Sequence, residues 1–284
     1  MFVSLPHHKT LAHDDALACA ESAIAQLIAH PFARDQDFPS AVYQFQAQAP
    51  TGTPVVIIGG MGPLAGFDAW KRTLIALPTR SSTLVQYCQI PDRATALREG
   101  ATSQAVLHVA QALAKAMTYA TSKNPTHVFI ACNTAHAFLP LALQCMDEQH
   151  RNNIRVHSLI DAAVAHAKRL GNTPCVLIAG TWGTRDARLY SESLTRENVA
   201  FEELGEDCQH HLTEAIYRGI KAGNRAVARG AGRHAFEAAI ASGNITAIIA
   251  ACTEIPMIVE ALSDWEALHA LPIIDPIDAV LEMI

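Results

Sequence analysis

Short apolar runs, each followed by a turn and a longer helical pattern, recur along this chain from residue 54 onward. Such runs, when turn residues bound them, are typical of strands buried on both faces. The predicted strands lie near residues 54–59, 83–88, 126–131, 154–159, 174–179, 199–203, 245–251 and 271–274. Predicted helices fill the gaps of the first half, near residues 64–76, 98–121 and 135–149. Strands that alternate with helices form parallel sheets with right-handed crossovers, so the pattern predicts an α/β fold.

The same pattern occurs twice along the chain. Residues 126–134 align without a gap on residues 246–254, and residues 54–60 align on residues 174–180 at the same offset of 120. A third pair follows at a slightly shorter offset, with Ser158–Asp161 against Ile273–Asp275. The duplication predicts two similar Rossmann-like domains with parallel sheets, related by a pseudo-two-fold axis, with the active site in the cleft between them.

Domain limits follow from the repeat. We expect a first α/β domain over residues 54–158, completed by the C-terminal segment 270–284, and a second over residues 159–269. Residues 1–53 lie outside the repeat and are predicted to form an ordered N-terminal extension. Its one predicted helix runs from about residue 16 to residue 29, with Asp14 and Asp15 as candidate caps.

Composition narrows the classes of function. Half of the 284 residues are hydrophobic, 17% are charged, and the net charge is −6, which argues against a nucleic-acid partner. No apolar run approaches the roughly 20 residues of a membrane helix, and the first ten residues lack a secretory pattern. The seven cysteines are scattered, with no CxxC pair for zinc or redox chemistry. We therefore expect free thiols, no metal and a cytoplasmic location.

Two of the cysteines, Cys132 and Cys252, occupy equivalent positions where a predicted strand ends in each copy. Ligands of parallel sheets bind at the carboxyl ends of strands, where Gly60 and Thr181 also fall. A lone cysteine is more often a small buried hydrophobe, but two in matching settings point to a site. The helix that follows each cysteine is expected to lower the thiol pKa from its usual value of about 8.5. Two opposed thiols can remove a proton from one face of a carbon and return it to the other.

The other five cysteines, which show no such setting, are expected to be structural: Cys19, Cys88, Cys145, Cys175 and Cys208.

The turn Gly59–Pro63 has GGxG spacing, and no acidic residue ends the next strand, so it predicts an anion cradle of backbone N–H groups rather than an NAD site. Residues 181–184 are its counterpart, and either turn taken alone is equally well a tight strand-to-helix connection. His136 follows Cys132 by four residues, but zinc needs three or four ligands, so a local hydrogen bond is expected.

Four co-linear motifs resemble the signatures of the aspartate/glutamate racemase superfamily, and of its aspartate racemase branch in particular. They are Ile57–Ala65, Ile90–Arg93, Ala131–His136 and Ala251–Glu254. The Asp-Ser-Gly type motif with which glutamate racemases open is absent. The resemblance runs in order from about residue 54 to the end of the chain.

The resemblance implies cofactor-independent racemisation by Cys132 and Cys252, one thiolate taking the α-proton and the opposing thiol donating one. It also implies that the α-amino and α-carboxylate groups are held by the backbone of Gly60, Met61 and Gly62 and by the side chains of Asn133, Thr134, Thr184 and Thr253. Arg93 and Lys221, which taken alone are typical of surface charges, match the binders of the substrate's side-chain carboxylate. An acidic amino acid is the implied substrate, and a homodimer the implied assembly.

The sequence departs from the family pattern in two places. Ala251 stands where glycine usually precedes the second cysteine, and Tyr87-Cys88 stand where asparagines are common. Aspartate, glutamate or both remain open as substrates. The alternative functions are a decarboxylase or a cis–trans isomerase of the same superfamily, or a non-catalytic amino-acid-binding protein.

Overall fold

The structure is a computed structural model that describes residues 8–30, 39–100, 103–120, 126–171 and 175–284. Residue 174, at the start of one predicted strand, and residues 101, 102 and 121 of one predicted helix lie outside the described residues. The chain divides into two units, residues 1–158 with Ile284, and residues 159–283. Each unit has its own parallel-rich sheet, so the predicted α/β fold is confirmed.

The first unit is built on a six-stranded sheet. Its elements are β1 (His8–Leu11), α1 (His13–Ala29), β2 (Ala41–Phe45), β3 (Val55–Gly59), α2 (Pro63–Ala76), β4 (Ser82–Gln86), α3 (Arg93–Glu99), α4 (Gln104–Ala120), β5 (Thr126–Ile130), a 3₁₀ helix (Thr134–Phe138), α5 (Leu139–Cys145), α6 (Glu148–Asn152) and β6 (Ile154–His157). The strand order is β1-β2-β4-β3-β5-β6. All pairs are parallel except β2 with β4, which is antiparallel.

The second unit is built on a four-stranded sheet that is parallel throughout. Its elements are α7 (Leu159–Arg169), β7 (Cys175–Gly180), α8 (Trp182–Asp186), α9 (Leu189–Arg196), β8 (Ala200–Glu203), α10 (Glu206–Glu214), a π-helix (Ala215–Ile220), α11 (Arg225–Ser242), β9 (Ala247–Ala251), α12 (Ile255–Ala261), α13 (Glu266–His269), β10 (Ile273–Ile274) and α14 (Pro276–Leu281). The strand order is β10-β9-β7-β8. No described helix combines the length and the apolar character that a membrane span requires.

The sequence repeat appears in the two sheets as a shared strand order. The run β4-β3-β5-β6 of the first sheet corresponds to β8-β7-β9-β10 of the second. Strands β3 and β9 are buried at every residue, which explains why they read as continuous apolar runs. The register of the third aligned pair was wrong. Val128 pairs with Val156 and its counterpart Ile248 pairs with Ile273, so the equivalent of Ile273 is Val156, three residues before Leu159.

The C-terminal segment differs from the expectation. Residues 270–283 belong to the second unit, because β10 pairs with β9 and α14 packs on α7, so they do not complete the first domain.

The predicted helix 98–121 is two helices, since Gly100 adopts a φ of +99° where α3 ends. The predicted helix 135–149 is likewise broken, with Asp147 capping α6 through its side chain.

The N-terminal extension is part of the first sheet rather than a separate arm. Strand β2 lies antiparallel beside β4, and the ring of Tyr43 on β2 packs against Phe67 and Trp70 of α2. Helix α1 begins at His13, so Asp14 and Asp15 lie in its first turn instead of capping it. An antiparallel strand was not predicted for this region.

Candidate active site

Candidate residues of the first unit lie on the loops that follow three neighbouring strands. Strand β3 lies between β4 and β5, with Gly59 opposite Gln86 and Ile58 opposite Ile130, so the three strands end at one edge of the sheet. The loops that begin there contain the glycine turn 59–63, the Arg93 segment and the Cys132–Thr134 segment. Motifs far apart in sequence are therefore neighbours at the carboxyl edge, as the α/β pattern predicts.

The glycine turn needs its glycine at position 60. Gly60 has a φ of +95°, and a Cβ there would lie 2.5 Å from the carbonyl carbon of Tyr87. The turn is also held by Gln86, whose Nε2 donates to the Pro63 carbonyl oxygen at 2.7 Å. The backbone of this turn is thus packed directly on the segment that follows β4.

Arg93 lies against the glycine turn instead of extending into solvent. It is the first residue of α3, and its Nη2 donates to the Met61 carbonyl oxygen at 2.7 Å. Asp92 supports the helix start, because its Oδ1 accepts from the Ala94 N–H at 3.2 Å. Taken alone, Arg93 is typical of a surface charge. In the structure it is half-buried beside the predicted anion cradle.

Cys132 is half-buried and follows β5 by two residues. Asn133 after it is buried, and Thr134 begins a 3₁₀ helix. His136 Nδ1 lies 3.0 Å from the Cys132 carbonyl oxygen and 3.2 Å from that of Asn133, so it is the protonated ring nitrogen and makes the expected local hydrogen bond. Within the described ranges, no group of three His, Cys, Asp or Glu side chains is placed to hold a metal ion.

Cys252 lies in a different setting, because its thiol is hydrogen-bonded to a buried carboxylate. The side chain is buried after β9, and Sγ donates to Glu254 Oε2 at 2.9 Å. Thr253 Oγ1 donates to the same oxygen at 3.0 Å, and Lys221 Nζ lies 3.7 Å from the other oxygen, Oε1. The carboxylate of Glu254, only 6% exposed, therefore joins three predicted site residues.

The surroundings decide the protonation states of this cluster. Burial raises the pKa of Cys252 well above its ordinary value, and the negative charge and hydrogen bond of Glu254 raise it further. Burial also opposes ionisation of Glu254, but Lys221 and the donated hydrogen bonds outweigh it and hold that pKa below its usual range. The predicted lowering of the thiol pKa is thus wrong for Cys252, because burial and the adjacent carboxylate both raise it.

Glu254 is the member of this cluster that sequence reasoning did not select as a site residue. In the sequence it is the last residue of the Ala251–Glu254 motif. The available signal was an acidic residue at the end of a buried strand, since a buried carboxylate must be paired. Its partner Lys221 is distant in sequence, so the pair emerges only from the fold.

Lys221 is placed by a local irregularity of its helix. It follows the π-helix Ala215–Ile220, and its N–H donates to the Ile216 carbonyl oxygen at 2.9 Å, five residues back. Gly219 allows this segment to approach α11, because a Cβ there would lie 2.6 Å from the Cα of Ala228. Single π-helical turns often occur at functional sites. Here one directs a lysine toward Glu254.

Thr184 lies beside the strand that leads to Cys252. It is buried in α8, and its Oγ1 donates to the Ala251 carbonyl oxygen at 3.4 Å. A Cβ on Gly180 would lie 3.0 Å from the Cβ of Ala251. The departure from the family pattern at position 251 is therefore accommodated by a glycine at the end of β7.

The structure thus gathers the predicted site residues into two sets, one in each unit. The first unit holds Gly60, Met61, Gly62, Arg93, Cys132, Asn133 and Thr134, and the second holds Thr184, Lys221, Cys252 and Thr253. All seven cysteines of the chain are free thiols.

Comparison with known proteins places this architecture. The structure is similar to the aspartate racemase of Picrophilus torridus, at 23% identity and a TM-score of 0.63, over 82% of this chain and 92% of that one. It is also similar to a putative Asp/Glu racemase from Yersinia pestis, at 17% identity and a TM-score of 0.62, over 82% and 97% of the two chains. A glutamate racemase from Bacillus anthracis matches at 17% identity and a TM-score of 0.56, over 82% and 79%.

At these identities the structural likeness shows the fold. The family model for Asp/Glu/Hydantoin racemase matches residues 58–284. The resemblance carried by the four sequence motifs is confirmed, and the chain belongs to the Asp/Glu/Hydantoin racemase family, as an isomerase of the racemase type.

Proposed function

We propose that this protein is a cofactor-independent racemase of aspartate, glutamate or both, and that Cys132 and Cys252 exchange the α-proton. The observation that carries the proposal is the buried Cys252 thiol, whose proton is directed to the Glu254 carboxylate. A thiol that keeps its proton at neutral pH is suited to be the acid of a two-base pair. The homodimer and the cytoplasmic location belong to the same proposal.

The reaction needs one thiolate and one thiol. Cys132, as thiolate, takes the α-proton, so the C–H bond breaks and an S–H bond forms. Cys252 gives its proton to the opposite face of the same carbon, so its S–H bond breaks and a new C–H bond forms. Atoms and electrons balance without a co-reactant, and the enzyme is left with its proton on the other sulfur. The raised pKa of Cys252 favours the form of the free enzyme in which that residue holds the proton.

The acidic side chain of the substrate is assigned to Arg93 and Lys221. A guanidinium binds a carboxylate with two parallel hydrogen bonds, and Arg93 lies at the edge where the glycine turn presents its backbone. Lys221 is only 25% exposed, and its charge is already shared with Glu254. A bound carboxylate therefore shares this lysine with Glu254, so Lys221 serves both substrate binding and the protonation state of Cys252.

The α-amino and α-carboxylate groups are assigned to the remaining polar groups. In the first unit these are the backbone of Gly60–Gly62 and the side chains of Asn133 and Thr134. In the second unit they are the hydroxyls of Thr184 and Thr253. Thr253 is already a hydrogen-bond donor to Glu254, so it connects the substrate group to the acid cluster.

The test is a direct assay of racemisation. Purified protein, dialysed against a chelator and freed of pyridoxal phosphate, is incubated with L-aspartate or L-glutamate, and chiral chromatography follows the D-enantiomer. The proposal expects turnover of at least one of the two, with alkylation by iodoacetamide abolishing it and substrate protecting against the loss. Binding of both amino acids without turnover would make the protein a non-catalytic binder, and release of carbon dioxide would make it a decarboxylase.

A further inference from the structure

The N-terminal extension reaches the proposed site through one serine. Strand β2 runs antiparallel to β4, with Ala41 opposite Gln86 and Phe45 opposite Ser82. The start of β2 therefore lies at the carboxyl end of β4, where the site loops begin. Residues 39–47 precede the part of the chain that matches the family model.

Ser40 extends this pairing beyond the end of the strands. Its Oγ accepts a hydrogen bond from the Cys88 N–H at 3.0 Å. Cys88 is fully buried and lies two residues after β4. A buried N–H that loses its acceptor is costly, so the Ser40 hydroxyl fixes the backbone at this point.

The segment that begins at Cys88 leads directly to Arg93. Tyr87 is packed on Gly60, and its N–H donates to the Gly59 carbonyl oxygen at 3.3 Å. At the other end of the segment, Arg93 donates to the Met61 carbonyl oxygen. Residues 87–93 are thus held on one side by the glycine turn and on the other by Ser40.

We propose that Ser40 is a positioning residue for Arg93, acting through the Cys88 backbone, and that the N-terminal extension is part of the apparatus that recognises the substrate's side-chain carboxylate. This inference rests on the proposed function for the role of Arg93. Ser40 itself touches no substrate. Its loss loosens the segment 87–93 and weakens the grip on an acidic side chain, while the cysteines are unaffected.

The chain offers a matched control at the opposite end of the same strand pair. Ser81 Oγ accepts from the Ala47 N–H at 3.1 Å, so it too ties the N-terminal extension to the β4 region through a hydroxyl. Ser81 lies immediately before β4, at the end remote from the site loops. Removal of either hydroxyl costs one hydrogen bond between the same two elements, but only Ser40 adjoins the Arg93 segment.

The first experiment measures the segment and is independent of activity. Hydrogen–deuterium exchange of peptides covering residues 87–93 is compared in wild type, Ser40→Ala, Ser81→Ala and Ser40→Thr. Loss of one hydrogen bond changes an equilibrium constant by about fivefold on average. Amide exchange of residues 87–93 is therefore expected to be about fivefold faster in Ser40→Ala and unchanged in Ser81→Ala. Ser40→Thr keeps the hydroxyl and is expected to restore protection. Equal exchange in Ser40→Ala and wild type would overturn the proposal.

The second experiment measures the consequence for substrate. In Ser40→Ala we expect the KM for the acidic substrate to rise about fivefold with kcat within twofold, and Ser81→Ala to match wild type. If Ser40→Ala folds poorly, Ser40→Cys, a weaker acceptor of similar shape, replaces it in both experiments. Equal KM changes in the Ser40 and Ser81 variants would reduce Ser40 to a structural role and overturn the proposal. Absence of racemisation in wild type would refute the proposed function. Hydrogen–deuterium exchange of residues 87–93, together with calorimetric binding of succinate, would still decide whether Ser40 positions the carboxylate site.

Discussion

Replacement of Glu254 by glutamine is the most informative perturbation of the acid cluster. Glutamine keeps the shape and an oxygen for Cys252 and Thr253, but it removes the negative charge that lies 2.9 Å from the sulfur. It also leaves the charge of Lys221 without this carboxylate. Both changes favour the thiolate of Cys252, because the carboxylate repels that form and the lysine attracts it.

The magnitude follows from the hydrogen bond that is weakened. A hydrogen bond to a charged group contributes about 1.5–3 kcal/mol, which is roughly a 10- to 100-fold change in an equilibrium constant. Below the wild-type pKa of Cys252, the thiolate fraction in Glu254→Gln is therefore expected to be about 10-fold higher or more at the same pH. The alkaline limb of the rate profile, where Cys252 loses its proton, is expected to move to lower pH.

The assay is residue-specific alkylation. Iodoacetamide labelling of the Cys252 peptide is measured by mass spectrometry from pH 6 to 10 in wild type and in Glu254→Gln. Glu203→Gln is the control, because Glu203 is an acid of the same unit whose partner is Arg185, at 3.3 Å. The control is expected to follow wild type. Superimposable labelling profiles for wild type and Glu254→Gln would refute the assignment of Glu254 as the group that keeps Cys252 protonated.

Three further predictions concern carboxylate binding, helix packing and acid stability. Arg93→Ala is expected to lower kcat/KM for aspartate about 100-fold and for alanine far less, measured by chiral chromatography; equal losses would remove Arg93 as the carboxylate binder. Gly219→Ala, which must push α11 away from the π-helix, is expected to lower Tm and kcat/KM together, whereas Gly230→Ala, with open space around its Cβ, is expected to be neutral or slightly stabilising. Burial, with the nearby His127, lowers the pKa of His157 from 6.5 to about 4, so the unfolded chain binds more protons and stability is lost as pH falls through that window. In thermal melts, the Tm of His157→Gln is expected to depend less on pH than the Tm of wild type. An equal pH dependence in the two proteins would contradict this prediction.

The sequence predicted well those parts of the fold that are decided locally. Strands β3 and β9 are buried on both faces, so their apolar runs and the turns after them could be recognised without tertiary information. The carboxyl-edge rule then located Gly60, Cys132 and Cys252 at strand ends. The family resemblance suggested a role for Arg93, because nothing local distinguishes it from a surface arginine. Its placement beside the glycine turn is seen only in the folded chain.

The parts that the sequence did not predict depend on distant contacts. Strand β2 is only partly buried and lies in a stretch interrupted by prolines. Its antiparallel pairing depends on the edge of β4 that does not pair with β3. The two-residue strand β10 is too short for its register to be read from an apolar run. The raised pKa of Cys252 depends on its burial and on the neighbouring Glu254 carboxylate, which Lys221 approaches from the end of the π-helix.

The central claim is that each cysteine serves one face of the α-carbon, and proton exchange in deuterated water tests it most directly. L- and D-aspartate are incubated separately with Cys132→Ala and with Cys252→Ala, and α-deuterium is followed by nuclear magnetic resonance while chiral chromatography follows inversion. The account predicts that both variants lose racemisation, and that any remaining exchange is confined to one enantiomer in Cys132→Ala and to the opposite enantiomer in Cys252→Ala. Full racemisation by either variant, or exchange of the same enantiomer by both, would contradict the two-cysteine mechanism.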